Sequence, residues 1–318
     1  MSVKKKNIKS VLRVSTAFVL LAGLTVSLLS CSNPSADNTS NSNQTTLKIA
    51  FPGRKDSADL RRKVSAVTTF LSDKLGYPVQ GLIGSSGGAV ESLKLNQSDV
   101  AFLSSKPALK AEEFANARLY LAEVRPKYSG KYTYSSSIVV AKDSPLQPKS
   151  TTKETLAQLK GKRAAFTSRN STSGFIFPIG ELIKQGLVSD ADRLDNFFSD
   201  VFYGGSYSGA LISVVRGRSD VAVVSEYALN PPYISEEEKS KLRVLYQIKG
   251  VPAHGVAIDD DVPPEKREKI IQALQELNKP ENNKLLRDLY NSTELVKIDH
   301  DQHLKPVREA LEALEKKN

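Results

Sequence analysis

The chain is poor in the residues that hold metals, disulfides and thiol nucleophiles: 318 residues include one cysteine, Cys31, and three histidines, His254, His300 and His303. A single cysteine makes no intrachain disulfide, and once Cys31 is modified a thiol enzyme has nothing left to use. A metal site needs three or four converging ligands. The compact candidate, His300-Asp301-Gln302-His303, offers two histidines and reads as solvated surface beside a charged terminus. No metal and no cofactor is expected. Gly-x4-Gly-Lys-Ser/Thr is also absent, which removes a nucleotide phosphate chain held with magnesium.

A long apolar run is missing except at the start. Lys4, Lys5, Lys6, Lys9 and Arg13 form a basic region around the head of an apolar stretch, residues 11–29, that ends at Leu28-Leu29-Ser30-Cys31. This reads as a bacterial lipoprotein signal over residues 1–30, with Cys31 lipidated as the new N-terminus. The alternative is an uncleaved membrane anchor, for which the run is short of the roughly 20 apolar residues of a span. Residues 31–46, rich in Ser, Asn and Thr, bury too little to fold and read as a flexible tether. Removing the five basic residues of the signal leaves 40 basic against 35 acidic side chains, a net +5. No Lys/Arg block follows the tether, so a nucleic-acid partner is not indicated.

What the chain does have is a repeat. Gly84-Ser85-Ser86-Gly87-Gly88-Ala89 running into Ser98-Asp99-Val100-Ala101 recurs as Gly205-Ser206-Tyr207-Ser208-Gly209-Ala210 running into Ser219-Asp220-Val221-Ala222, with 10 identities over 21 aligned positions. Each copy reads as a small-residue loop, an amphipathic helix and a short apolar strand, one half of a doubly wound α/β unit. Ala50-Phe51 with Arg54 matches Ala165-Phe166 with Arg169 in the same way. The fold class is therefore α/β and two-lobed, each lobe a doubly wound sheet flanked by helices, the two joined by hinge strands. Strands are expected over residues 47–51, 79–83, 100–103, 163–166, 201–203 and 221–224, with 134–141 and 254–258 as the hinge. Lobe I takes residues 47–136 and 252–318, lobe II residues 137–251, and the C-terminal helices after Pro263-Pro264-Glu265 pack on the outside. Ligands of open α/β sheets sit beyond the carboxyl ends of the strands, so two facing lobes make a cleft lined by helix N-termini.

Ser171-Thr172-Ser173-Gly174 follows the strand that ends at Phe166 and opens an apolar helix, residues 175–183. The first N–H groups of a helix lack partners and its dipole is positive there, so an anion is favoured, and three hydroxyls add donors. The alternative is a plain N-cap in a solvated loop. Gly84-Ser85-Ser86-Gly87-Gly88 satisfies Gly-x-Ser-x-Gly, which raises a serine hydrolase with Ser86 as nucleophile. Tyr207 at the matching place in the second copy favours one copy of a repeat instead.

At Ser171-Thr172-Ser173-Gly174, together with residues 99–103, Tyr134-Ser135-Ser136, Leu159-Lys160-Gly161-Lys162 and the Gly205-Ser206 loop, the chain resembles the substrate-binding proteins of phosphonate-type ABC importers. The resemblance runs from Leu47 to about Leu277 and implies the type II periplasmic-binding-protein fold, with lobes closing on phosphonate, phosphite or a related phosphorus oxyanion. It implies ligand contacts from Ser171, Thr172, Ser173 and Gly174, and from Ser86, Ser104, Tyr134, Tyr207, Ser225 and Glu226. A tyrosine common in the first-lobe loop is Ser86 here, and a histidine common in the second-lobe loop is Tyr207, which leaves the organic substituent open. Phosphate or another oxyanion such as a sulfonate is the alternative ligand. The resemblance further implies a non-enzymatic protein that serves an ABC permease and its ATPase, held by the lipid on Cys31 at the extracytoplasmic face of a membrane.

Overall fold

The structure, a computed structural model, describes residues 46–54 and 59–315. The expectations for the signal, for Cys31 and for the tether up to residue 45 lie outside the described residues.

The strands are β1 (Leu47–Pro52), β2 (Val79–Gly84), β3 (Val100–Leu103), β4 (Arg118–Val124), β5 (Thr133–Ala141), β6 (Arg163–Phe166), β7 (Asp200–Tyr203), β8 (Val221–Ser225), β9 (Leu242–Pro252), β10 (Gly255–Ile258) and β11 (Glu294–Lys297). They form a six-stranded sheet of order β11-β4-β10-β3-β1-β2 and a five-stranded sheet of order β7-β6-β8-β5-β9. The helices are α1 (Leu60–Leu75), α2 (Ser86–Lys94), α3 (Ser105–Ala115), α4 (Thr152–Ala157), α5 (Phe177–Lys184), α6 (Tyr207–Val215), α7 (Glu236–Lys239), α8 (Pro264–Gln275), α9 (Asn283–Tyr290) and α10 (His300–Glu315).

The sequence repeat is a structural one. β1 pairs in parallel with β2 and β3 in the first sheet, as β6 does with β7 and β8 in the second, and an antiparallel strand flanks each set, β10 beside β3 and β5 beside β8. The repeated Ser-Asp has one job in both copies. Asp99 accepts the Lys48 N–H at 2.7 Å and returns its own N–H to the Lys48 carbonyl, and Asp220 does the same with Arg163 at 2.8 Å. Each carboxylate thus ties the start of one parallel strand to its neighbour. The repeated loop serine caps the following helix: Ser85 Oγ accepts the Gly88 N–H at 3.0 Å and Ser206 Oγ the Gly209 N–H at 3.1 Å.

Both faces of the parallel strands are covered, as the unbroken apolar runs require. Val100 and Phe102 join the core under α1, α8 and α9, while Ala101 and Leu103 face α2 and α3. Val221 and Val223 pack toward α5, and Ala222 and Val224 toward α6.

Two expectations are corrected by the topology. Residues 134–141 belong to β5, paired on both sides within the second sheet, and residues 255–258 are β10, paired on both sides in the first. The chain crosses between sheets just before each, over residues 125–132 and 253–254. His300 and His303 are not solvated surface but 3% and 6% exposed. They lie with Leu304 and Val307 on the buried face of α10, where His300 Nδ1 accepts the Leu119 N–H at 2.7 Å and His303 Nε2 meets the Ala253 carbonyl at 3.1 Å. The far end of α10 packs by Ala310, Leu311 and Leu314 on the core of the second sheet.

The two repeat copies differ in how tightly the loop meets its helix. A Cβ on Gly209 would stand 2.1 Å from the Gly204 carbonyl oxygen, whereas one on Gly88 meets nothing nearer than the Ser85 hydroxyl at 3.4 Å. Gly209→Ala is expected to cost about 1–3 kcal/mol of stability through overpacking. Gly88→Ala should be neutral or gain up to about 1 kcal/mol of helix propensity. Thermal unfolding of the two variants checks this, and equal effects would contradict it.

Candidate functional site

A cavity of about 710 Å³ lies between the two sheets, lined at the carboxyl ends of the parallel strands by residues of both. Its first wall comes from the segment after β1 (Gly53, Arg54), the start of α2 (Ser86, Gly87) and the end of β3 (Ser104). Its second wall comes from the segment after β6 (Thr167, Ser168, Asn170, Ser171 and Thr172) and the start of α6 (Gly205, Ser206, Tyr207). Tyr134 at the start of β5 and His254 just before β10 close the base.

The hydroxyl-rich loop is divided by its own folding. Ser171 Oγ accepts the Gly174 N–H at 3.0 Å and so caps the helix, whose first turn, Thr172–Ile176, is a wider π turn closed by Ile176 N–H to the Ser171 carbonyl. Gly174 is required because a Cβ there would stand 2.2 Å from Thr167 Oγ1. Ser173 is fully buried, with its Oγ 2.8 Å from the Tyr207 hydroxyl and its carbonyl accepting from Ser136 Oγ at 2.5 Å. Ser171 and Thr172 line the cavity; Ser173 and Gly174 stand behind them. Ser171 is thus both the cap and a lining residue, while Thr172 lines the cavity without capping.

Tyrosines make the floor. Tyr134, Tyr207, Tyr227 and Tyr233 line the cavity, with Tyr134, Tyr207 and Tyr233 each within 6 Å of the Tyr227 ring, and Tyr128 stacks behind Tyr134 at 5.2 Å. Burial first and the neighbouring phenols second push the hydroxyls of Tyr134 and Tyr227 well above the ordinary range, so they remain neutral donors.

Beside them is a buried charge cluster. Arg54 donates NH1 and NH2 to the two oxygens of Glu123 at 2.8 and 2.7 Å, and Arg125 donates Nε to the same carboxylate at 3.2 Å. Ser292 Oγ adds a fourth donor at 2.8 Å, and the Arg54 guanidinium lies 3.7 Å over the Tyr290 ring. Burial alone would raise the Glu123 carboxyl; Arg54 and Arg125 overcome it and hold the group well below the ordinary carboxylate range. His254 is kept neutral by burial and by Arg54. Arg54, Arg125 and His254 all line the cavity. Such a wall, facing helix N-termini and hydroxyls, is built to hold an anion.

Of the residues expected from sequence, Ser86, Ser104, Tyr134, Ser171, Thr172 and Tyr207 come together on the cavity. Ser225 is fully buried at the end of β8, and the Glu226 carboxylate is turned away to accept the Ser129 N–H at 2.7 Å. Sequence reasoning missed Arg54, Arg125, Tyr227, Tyr233 and His254. For Arg54 the signal was there: it matches Arg169, which instead pairs with exposed Asp192 away from the cavity. Among the described residues, Glu112, His300 and Asp301 converge as metal ligands would. Arg308 and Arg118 already pair with the two carboxylates, and His300 Nδ1 accepts the Leu119 N–H, so the trio is tied into an ion-pair network.

This geometry can be set beside known proteins. A family model described as the phosphonate periplasmic substrate-binding protein of ABC transporters matches residues 49–304. The chain belongs to this family. Among phosphonate-type substrate-binding proteins, it is 26% identical over 228 residues to the phosphonates-binding periplasmic protein of Escherichia coli, covering 70% of this chain and 64% of that protein, slightly under two thirds of its length. It is 23% identical over 263 residues to a phosphate-import protein of Mycolicibacterium smegmatis, covering 81% and 79% of the two chains. The solved structure of a Prochlorococcus marinus homologue in complex with methylphosphonate superposes with a TM-score of 0.67 at 20% identity, over 86% of this chain and 100% of that one. The two-lobed periplasmic-binding fold is thus shared. Among the described residues no helix is long and apolar enough to cross a membrane.

The charge cluster sets an acid limit on this family member. Glu123 has a depressed folded pKa, so its stabilisation is complete above the unfolded glutamate value of about 4.3 and is lost as the pH falls through the folded value. His254, also depressed, protonates first in the unfolded chain, so stability begins to fall below about pH 6.5. Melting curves from pH 8 to 3 should show both onsets. Glu123→Gln should cost about 3–5 kcal/mol near neutrality by taking away the charged acceptor that Arg54 and Arg125 share, and its deficit should shrink toward low pH. A constant deficit would contradict the assignment.

Proposed function

We propose that this chain is the ligand-capturing component of an ABC importer, taking a phosphonate, phosphite or related phosphorus oxyanion in the cavity between its sheets. The observation that carries this is that Ser171, Thr172 and a helix N-terminus share one cavity with the buried guanidiniums of Arg54 and Arg125. Ser171, Thr172, Ser86, Ser104, Tyr134 and Tyr207 contact the ligand; Ser173 and Gly174 hold the loop in shape; Ser225 and Glu226 act from behind. The two sheets with their helices form two lobes, with the lobe boundaries at the crossovers 125–132 and 253–254 rather than at 136–137 and 251–252, and the lobes close about these crossovers, ligand contacts to both lobes favouring the closed state. The relatives' names support phosphonate and phosphate as the ligands to compare first.

The reading is of a binder without turnover. Ser86 opens α2 at the place Tyr207 holds in the other half, as one copy of a repeat rather than as an activated nucleophile. Calorimetric titration with methylphosphonate, phosphite and phosphate should give one-to-one binding, with the ligand recovered unchanged. Thr172→Ala should remove one hydrogen bond to a charged group and lower affinity roughly ten- to hundredfold. Melting without ligand should barely move. A Thr172→Ala protein that melts early yet binds normally would show that the loop only caps its helix.

The permease and its ATPase are the partners, and the lipid on Cys31 holds the protein at the extracytoplasmic membrane face. Cys31→Ser should move the protein out of the membrane fraction, or leave it there as uncleaved precursor, with ligand affinity of the purified protein unchanged. A weakened affinity would place Cys31 within the binding fold and contradict the anchor.

A further inference from the structure

The tyrosines of the cavity floor offer more than an inorganic oxyanion uses. A phosphite or phosphate on the Ser171-Thr172 loop is met by hydroxyls and N–H groups and leaves aromatic faces wet. The lips of the cleft already touch, Lys106 Nζ of α3 donating to Asn170 Oδ1 of the segment after β6 at 2.8 Å, yet a cavity of about 710 Å³ remains behind them. Pockets that enclose whole organic ligands have this size, roughly 300–1,000 Å³.

Three of the rings form a corner. The centroids of Tyr207, Tyr227 and Tyr233 are 5.7 to 5.9 Å apart pairwise, with Tyr207 at 89° to Tyr227 and 70° to Tyr233, and Tyr227 at 57° to Tyr233. All three are half-buried and line the cavity, so the corner faces the cleft instead of being sealed in a core. The Tyr207 hydroxyl is tied back to the buried Ser173 Oγ at 2.8 Å, which commits the polar end of this side chain to the wall and leaves its ring beside the anion loop. The Arg125 guanidinium lies 5.6 Å over the Tyr227 ring, and Ser208 Oγ donates to the Tyr233 carbonyl at 2.5 Å, so the corner is held in place before a ligand arrives. The first wall adds Val90 of α2 and Pro107 and Phe114 of α3, with Phe114 half exposed.

We propose that the ligand is an arylphosphonate, its phosphonate on the Ser171-Thr172 loop and its aromatic ring seated on the corner of Tyr207, Tyr227 and Tyr233. The inference rests on the cavity being a phosphonate site and narrows the substrate class within that reading. Ser173 follows Thr172 in the chain and touches Tyr207, so a group bonded to phosphorus on this loop stands next to the Tyr207 ring. A planar ring entering the corner meets both faces and edges, the offset and T-shaped contacts that aromatic pairs favour, and buries apolar surface on either side. Rings already fixed in position lose little freedom on binding.

The test is calorimetric titration of the purified protein with phenylphosphonate, methylphosphonate and glucose 1-phosphate. Phenylphosphonate should bind at least about tenfold more tightly than methylphosphonate, and more tightly than glucose 1-phosphate, whose ring is polar and puckered. Tyr207→Phe keeps the ring and should keep that preference, whereas Tyr207→Ala should shrink it to within about threefold. If Tyr207→Ala melts far below the wild type, the wild-type ranking and Tyr207→Phe decide. A smaller wild-type preference, or tighter binding of glucose 1-phosphate, would overturn the aryl proposal and leave the phosphorus-oxyanion reading intact. A preference lost in Tyr207→Phe, or fully kept in a well-folded Tyr207→Ala, would overturn it equally. Failure of all three probes would also overturn it, and if phosphite and phosphate failed as well the phosphonate reading itself would fall.

Discussion

An aspartate carboxylate at the start of a parallel strand pair is the interaction from which the rest of the architecture follows. Asp99 in one half and Asp220 in the other accept an N–H at the start of the neighbouring strand, at Lys48 and Arg163, and return a backbone hydrogen bond. That pairing fixes the register of β1 on β3 and of β6 on β8. Because side chains alternate along a strand, a slip of one residue would turn Val100 and Phe102, or Val221 and Val223, to the wrong core. With the register set, the segments leaving β1, β3, β6 and β8 emerge at the carboxyl ends of their strands, and in both halves they open on the same cavity.

What the two halves bring to that cavity differs in kind. The second half supplies neutral donors: Thr172 and Ser171 at a helix start, and tyrosines kept protonated by burial. The first half supplies charge, concentrated in Arg54 and Arg125 about Glu123. Neutral donors bind an oxyanion through many weak polar contacts with little desolvation cost, whereas buried guanidiniums are costly unless the anion arrives. Glu123, which accepts from both, offsets part of the cost of keeping two buried arginines at the cleft.

Much of this was legible in the sequence because a repeat shows itself without any knowledge of packing. The glycine-serine loops, the Ser-Asp pairs and the short apolar strands marked β2, β3, β7 and β8 and the helices between them, and the Ser-Thr-Ser-Gly loop marked one wall. The strands that escaped are β4, β9 and β11, edge or near-edge elements whose mixed burial gives no clean apolar run. His300 and His303 were read as solvated because composition places the last helix in a charged tail. Its docking on both Leu119 and Ala253 is a tertiary fact with no local signal. Within the site, strand ends told which loops reach the cavity but not which side chain of a loop turns into it. That is why Ser173 and Glu226 stand behind the wall, while Arg125 and Tyr227, brought in by pairings distant in sequence, stand on it.

The central claim is that a phosphorus oxyanion sits between the Ser171-Thr172 loop and the arginine-bearing half. The most direct measurement is a crystal structure of the protein grown with methylphosphonate. The account predicts a tetrahedral group with oxygens within hydrogen-bond distance, about 2.7–3.2 Å, of the Thr172 hydroxyl or backbone N–H, in a cleft contacted from both lobes. A methylphosphonate found elsewhere, or a cleft that stays empty at saturating ligand, would contradict it.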